Sequence, residues 1–294
     1  MTLHFKKAER PDAALRRVCR KYIGQARSRL RKSRHPAAVH SVRKEIKKLR
    51  AIFRLIRGEI NPDDYRQAAK ALRRAANWLA ATRDARVRLQ AFEQLAGPAA
   101  AERFPVLTKA LQKDCRRESR RFRDDDSVEL AGWQLRKTGR RLANLKFTTS
   151  GWAAIEPGLR QSYLRGRQTG SMAARKPSPE NLHEWRKQVK TFWHQLQIVC
   201  PKWPDTARSL TRQLDELADL LGEEHDLFLL KRFVAIHSDK TEAARLNPLI
   251  EARQNKLRLA ALKLGARVYA ETPAAICRQL GQDWNQWQGQ AGRH

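Results

Sequence analysis

Two stretches of the sequence place basic side chains on one face of a helix. In the first stretch these side chains belong to His40, Arg43, Lys44, Lys47, Arg50 and Arg54. Residues three, four and seven positions apart lie on the same side of an α-helix, so they form one cationic stripe. Like charges at this spacing repel each other by roughly a few tenths of a kcal/mol per pair. The stripe is explained either by an anion that binds along it or by simple exposure to solvent.

The second stretch repeats the pattern with His183, Arg186, Lys187 and Lys190. The apolar face repeats as well, with Val39, Val42, Ile46, Leu49, Phe53 and Ile56 matched by Leu182, Trp185, Val189, Phe192, Leu196 and Val199. Helical amphipathicity alone explains one repeated face but not two. The repeat favours a pair of stripes that face each other across a shared groove, which would attract a polyanion more strongly than scattered charges.

A weaker echo pairs residues 79–87 with residues 221–229 and aligns Asp84 with Asp226. We therefore predict a helical unit that is used twice, as two four-helix-bundle-like halves related by a pseudo-two-fold axis. The Gly/Thr/Ser stretch from Lys146 to Gly151 places the boundary between halves 1–148 and 149–294. Asp84 and Asp226 are expected to orient basic side chains, with His225 beside them.

Helical periodicity extends over nearly the whole chain, and the alternation typical of strands is nearly absent. The fold class is therefore predicted to be all-α. Prolines stand near most of the proposed helix starts, where a missing amide hydrogen costs least. The predicted helices cover residues 11–32, 37–57, 62–95, 99–122, 127–146, 156–175, 179–200, 204–238, 241–270 and 273–289.

The charge balance indicates an anionic partner. The chain carries 61 Lys and Arg against 30 Asp and Glu, a formal charge of +31, while 41% of its residues are hydrophobic and can build a core. Arginine suits forked contacts with phosphate oxygens, so phosphate is favoured over carboxylate. Further basic residues that could extend the groove are Arg16, Arg20, Lys21, Arg136, Arg140 and Arg167.

Cysteine spacing and missing motifs exclude several classes of protein. The four cysteines are widely spaced and form no CxxC pair, which favours reduced thiols in a cytoplasmic protein. We find no secretory signal or membrane span, no metal-ligand pattern, no nucleophile motif and no phosphate- or dinucleotide-binding glycine loop. We therefore predict no catalytic residue, no metal and no cofactor.

The residues from His40 to Arg50 and from His183 to Lys190 resemble the two HxxRKxxKxxR signatures of CHAD proteins, the conserved histidine α-helical domain. His225 with Asp226 is similar to the family's histidine–aspartate element. The resemblance covers about residues 8–285 and implies two four-helix bundles with a basic central cavity. It also implies binding of inorganic polyphosphate, association with polyphosphate granules in bacteria, and a stand-alone CHAD protein without the CYTH domain often fused to it.

The sequence departs from the family pattern at three positions. Trp193 stands where the first copy has Arg50, and Arg86 and Phe228 stand where family members often carry another aspartate. The second stripe is therefore shorter, and its contribution is expected to be smaller.

Two other functions remain open at this point. The charge alone would also permit a protein that binds RNA or DNA, although most aromatic residues lie at helical core spacing rather than on a stacking platform. The histidines would permit a metal-dependent phosphohydrolase or phosphotransfer protein. Non-catalytic binding of inorganic polyphosphate is the leading interpretation.

Overall fold

The structure, a computed structural model, describes residues 3–32, 36–124, 126–143, 146–200 and 205–289. Over these ranges the chain is all-α and contains no strand, as the sequence predicts. The helices are α1 Pro11–Lys32, α2 Pro36–Leu55, α3 Pro62–Trp78, α4 Ala80–Ala96, α5 Ala100–Arg103, α6 Pro105–Asp124, α7 Ser127–Ala143, α8 Glu156–Arg175, α9 Pro179–Val199, α10 Asp205–His237, α11 Lys240–Val268 and α12 Pro273–Gly289.

Local sequence signals explain many of the helix starts. Proline is the first residue of six helices, among them α2 and α9, which carry the two stripes. Before α9, the Ser178 hydroxyl accepts a hydrogen bond from the amide of Asn181 at 3.3 Å. The Asn61 side chain caps α3 in the same way, accepting from the amide of Asp63 at 2.8 Å. The predicted helix positions 144–145 and 204 lie outside the described residues.

Two predicted helices are each divided in the structure. The helix predicted over residues 62–95 breaks at Leu79, which is fully buried with φ −97° and ψ 11°. The break lets α3 pack on α7 while α4 packs on α6 and α10, so tertiary packing overrides local periodicity. The helix predicted over 99–122 begins with the short α5 and restarts after Phe104, because Pro105 disfavours helical backbone in the residue before it.

Packing follows a similar order in the two parts of the chain. In the first, α1 packs on α2 and α7, and α3 packs on α2 and α7. In the second, α8 packs on α9 and α12, and α10 packs on α9 and α12. A larger hydrophobic core draws side chains from both parts, whereas a smaller one joins α4–α6 to α10 and α11. The pseudo-two-fold axis and the boundary at 148/149 remain predictions.

Helices α2 and α9 pack on each other, and this contact positions the stripes. The Gln195 side-chain amide donates to the carbonyl oxygen of Ala51 at 3.0 Å. Trp185 is 1% exposed and fixes α9 against its neighbours. Gly265 of α11 makes room for it, because a Cβ atom there would lie 2.3 Å from the indole Cζ2. These contacts fix α2 and α9 relative to each other, and with them the positions of their basic side chains.

Candidate phosphate-binding groove

Side chains of both stripes line one cavity of about 460 Å³, which we call the basic groove, although His183 is not among its lining residues. Seven Lys and Arg side chains and two histidines line it, against two carboxylates. The lining residues are His40, Arg43, Lys44, Lys47 and Lys48 of α2, Arg83 of α4, Arg186, Lys190, Trp193, His194 and Gln197 of α9, and Asp215 and Asp219 of α10. The groove therefore concentrates positive charge between protein walls.

A narrower cavity of about 80 Å³ continues the basic groove along α2 and α9. It shares Lys47, Arg186, Lys190 and His194 with the groove and adds Arg50, Arg54, Lys187 and Thr191. The Arg54 guanidinium donates to the Thr191 hydroxyl at 2.7 Å, which ties the far end of the first stripe to α9. From His40 to Arg54 the helical rise gives a cationic surface about 21 Å long.

Lys47 lies where the two cavities meet, and its charge is poorly stabilised. It reaches solvent in the groove, but the walls displace much of the water around its ammonium group. This burial, followed by repulsion from Arg186, Arg83, Arg43 and Lys190, lowers the pKa of Lys47 to about 7. An anion in the groove would reverse the repulsion and favour the protonated ammonium.

Arg83 links the two aspartates that the sequence analysis selected. Its guanidinium donates to Asp84 Oδ1 at 3.0 Å and to Asp226 Oδ1 at 3.2 Å. The structure thus brings α4 and α10 together through one arginine beside the groove. Burial raises the pKa of Asp226, while Arg83 and Arg186 act in the opposite direction. Sequence reasoning missed Arg83 as a functional residue, although it occupies the position equivalent to His225 in the weaker echo.

Arg186 stands at the junction of the groove, its narrow continuation and a neighbouring cavity on the α4–α10 side. Burial lowers the pKa of Arg186, and Asp226 opposes this effect. Its guanidinium nonetheless stays protonated near neutral pH, as arginine does in proteins. The Nη2 atom would lie 3.3 Å from a Cβ at Gly222, so a small residue leaves space for the guanidinium. Arg43 of α2 is held by α3, since its guanidinium donates to the carbonyl oxygen of Ala76 at 2.5 Å.

The histidines lie in a strongly cationic environment. The rings of His183 and His225 stack with centroids 4.2 Å apart. Burial lowers the pKa of His225 to about 3, and His183 and Arg186 add to the effect. Burial and the nearby lysines likewise lower the pKa of His40. His194, which the sequence analysis did not select, also lines the groove, and burial lowers its pKa to about 3.

The second stripe is partly neutralised. Lys190 Nζ lies 3.4 Å from Asp219 Oδ1 and 3.7 Å from Asp215 Oδ1. It also lies 4.3 Å from the centre of the Trp193 ring, a cation–π contact. Lys187 forms an ion pair with Glu184. Most of the first stripe carries no such carboxylate among the described contacts, so α2 supplies the larger share of uncompensated charge.

The remaining basic residues selected from the sequence lie elsewhere. Arg16, Arg20, Arg136 and Arg140 line a separate cavity between α1 and α7. Lys21 on α1 and Arg167 on α8 line neither this cavity nor the groove. The cationic groove residue Lys48 was not selected, because it lies one position off the stripe and its charge alone does not distinguish it from other surface lysines.

The described residues contain no group of three or more His, Cys, Asp or Glu side chains arranged to hold a metal ion. Burial raises the pKa of the Cys19 and Cys200 thiols, and it raises that of Cys277 to about 12. Thiols in this state are poor nucleophiles.

Among the described residues, no helix combines the length and the apolar character that a membrane span requires.

The all-α fold agrees with the comparisons to known proteins. The family model of the CHAD domain matches residues 13–235. A solved CHAD domain from the plant Ricinus communis is similar in structure, with a TM-score of 0.64 at 17% sequence identity, over 92% of this chain and 95% of that one. Comparison with curated proteins found no match. The extent of the family match shows that the chain belongs to the CHAD domain family.

Proposed function

We propose that the protein binds inorganic polyphosphate in the basic groove and leaves the chain chemically unchanged. The observation that carries this proposal is the meeting of the two stripes in one groove, where seven Lys and Arg side chains face two carboxylates. Both carboxylates lie near Lys190, so the side of α2 is left with uncompensated charge. A linear polyanion lying along α2 and α9 would supply the missing negative charge.

The shape of the groove favours a chain of phosphates over a small anion. Its two connected parts follow α2 over about 21 Å, and cations lie along the whole distance. Arginines at several points can fork onto phosphate oxygens, and each contact would release bound counterions. The ligand is therefore expected to be extended and to bind with a strong dependence on salt.

Nucleic acid is the less favoured ligand because the groove offers little for its bases. Trp193 is the one aromatic ring among the described lining residues apart from the histidines. Its ring is approached by the Lys190 ammonium at 4.3 Å and by the His194 ring at 4.7 Å, which leaves little free face for base stacking. Proteins that hold single strands by their bases use exposed aromatic platforms instead.

Replacing Lys47 and Lys190 together tests the site. Polyphosphate affinity of Lys47→Gln/Lys190→Gln should fall by about tenfold or more, since two charges at the meeting point of both cavities are lost. The matched control is Lys6→Gln/Lys7→Gln, which removes two exposed lysines outside the groove. Equal losses in both variants would refute the groove and indicate a diffuse electrostatic surface.

The absence of catalysis and the cellular destination belong to the same proposal and have their own tests. Purified protein should leave the length of polyphosphate unchanged in the presence of magnesium or manganese, and progressive shortening by the pure protein would contradict binding without turnover.

A fluorescent fusion should collect at polyphosphate granules in cells, and the double variant Lys47→Gln/Lys190→Gln should remain dispersed. Equal recruitment of both proteins would contradict targeting through the groove.

A further inference from the structure

A second basic cavity lies between α1 and α7, away from the groove. We call it the arginine cleft; its volume is about 500 Å³. Its lining residues are Arg16, Arg20, Ile23, Gly24 and Arg27 of α1 with Arg136, Gly139, Arg140 and Leu142 of α7. Among the described residues, none lines both this cleft and the groove. The cleft is thus as large as the main part of the groove but built from different helices.

The charge of the arginine cleft is largely uncompensated. Asp12 pairs with Arg16 at 3.0 Å. Within the described part of the chain, no carboxylate pairs with the other four arginines of the cleft. Burial lowers the pKa of Arg27, and repulsion from Arg136 of α7 and from Arg31 of α1 adds to the effect. Repulsion between α1 and α7 in this cleft would be relieved by a bound anion.

The geometry of the cleft points to phosphate groups. Arg16 and Arg20 on α1, like Arg136 and Arg140 on α7, are four positions apart and therefore project as neighbours on one helix face. Two such pairs on opposite walls can fork onto oxygens of successive phosphates. Gly24 leaves the cleft open, since a Cβ atom there would meet no atom within 4 Å.

We propose that the arginine cleft is a second phosphate site, which takes a short segment of a condensed phosphate chain. The choice of ligand class rests on the proposed function of the groove, whereas the site itself rests on the arginines of α1 and α7. The described lining of the cleft includes no aromatic side chain on which a nucleic-acid base could stack. With both sites occupied, one molecule would hold two chains or two segments of one chain.

The test uses inorganic triphosphate as the probe and calorimetry to count sites. The wild-type protein should bind two molecules, and the groove variant Lys47→Gln/Lys190→Gln should retain the site in the cleft. Gly24→Glu places a carboxylate among the arginines and should weaken that retained site by about tenfold. Glutamate is a better helix former than glycine, so this variant should lose binding without losing α1.

A second variant tests the arginines directly. Arg136→Gln/Arg140→Gln should reduce triphosphate binding in the cleft as Gly24→Glu does. The matched control is Arg116→Gln/Arg120→Gln, which removes two exposed arginines at the same spacing on α6 and should leave the number of sites unchanged. Circular dichroism and the unfolding midpoint verify that each variant is folded.

The outcomes separate the cleft from the groove. A single site in the wild-type protein, or a retained site that neither cleft variant weakens, would overturn the second site. A retained site that prefers single-stranded RNA to triphosphate would overturn the ligand class. A third outcome is possible, in which the cleft variants no longer bind triphosphate and the groove variant binds it as the wild-type protein does. This outcome would support the site in the cleft and refute the proposed function of the groove.

Discussion

Raising the pH from 7 to 9 should weaken polyphosphate binding, because Lys47 must carry a proton when the anion occupies the groove. In the free protein, burial and four neighbouring cations lower the pKa of Lys47 to about 7. A bound polyanion would offset those cations and raise this pKa toward the ordinary lysine value of 10.5. Binding is then coupled to proton uptake, so affinity is greatest below pH 7 and falls as the pH rises through 7.

The size of the effect follows from the two pKa values. Near pH 8 the complex would take up about 0.9 proton from solution, which makes the association constant fall by about eightfold per pH unit. Between pH 7 and pH 9 this amounts to about 50-fold as an upper value. Lys47 reaches solvent in the groove, and screening by water and salt should reduce the observed change to roughly tenfold.

Few other protein groups should contribute in this pH window. Burial and nearby cations lower the pKa of His40 and His183 from the usual histidine range, and the pKa values of His194 and His225 lie at about 3. These four histidines are therefore mainly neutral in the free protein across this window. Burial raises the pKa of Cys115, as it does for the other three thiols.

The assay measures polyphosphate affinity by fluorescence anisotropy at fixed salt between pH 6 and pH 9. Lys47→Arg keeps the positive charge but does not titrate in this range, so its affinity should stay nearly constant. Lys6→Arg makes the same change at an exposed site outside the groove and should keep the wild-type pH profile. An equally flat profile in wild type, or an unchanged slope in Lys47→Arg, would refute the coupling to Lys47.

Three further predictions follow from the described contacts. Asp215→Asn/Asp219→Asn should raise polyphosphate affinity a few-fold in a binding titration, because both carboxylates compete for Lys190. Gly265→Ala should lower the free energy of unfolding in urea by about 1–3 kcal/mol, because the added Cβ would lie 2.3 Å from the Trp185 ring. The logarithm of polyphosphate affinity should fall linearly with the logarithm of salt concentration, and removing two groove lysines should reduce the slope by roughly one to two.

Matched control variants, or results that would contradict the expectation, accompany these three predictions. Asp63→Asn removes a carboxylate that pairs with Arg66 outside the groove and should leave affinity unchanged. Gly132→Ala, in α7, introduces a Cβ atom that meets nothing within 4 Å and should not destabilise the protein. A loss of affinity in the double aspartate variant would mean that the carboxylates support the groove. A salt slope that the lysine replacements do not change would mean that the ligand binds elsewhere.

The sequence predicted the helices and the stripes because both depend on local periodicity. The stripes of α2 and α9 could be recognised from the spacing of His40 and His183 to the basic residues that follow them. The break at Leu79 could not, because no proline or glycine marks it and it results from packing of α3 and α4 on different partners.

Contacts between distant helices account for most of what the sequence did not reveal. Arg83 joins Asp84 to Asp226 across α4 and α10, and nothing in its immediate sequence neighbourhood indicates that role. Arg136 and Arg140 were grouped with the groove by charge alone, whereas the packing of α7 on α1 places them in the arginine cleft. Charge identifies the class of ligand, but the pairing of helices decides which charges act together.

Competition between ligands tests the central claim most directly. Labelled long-chain polyphosphate, bound at moderate salt, is challenged with unlabelled polyphosphate, duplex DNA and single-stranded RNA at equal phosphate concentration. We expect unlabelled polyphosphate to displace the probe at least about tenfold more effectively than either nucleic acid, which corresponds to about 1.4 kcal/mol of preference. Equal displacement by RNA or DNA would contradict selective polyphosphate binding and would show that the charge of +31 acts as an unspecific attraction for polyanions.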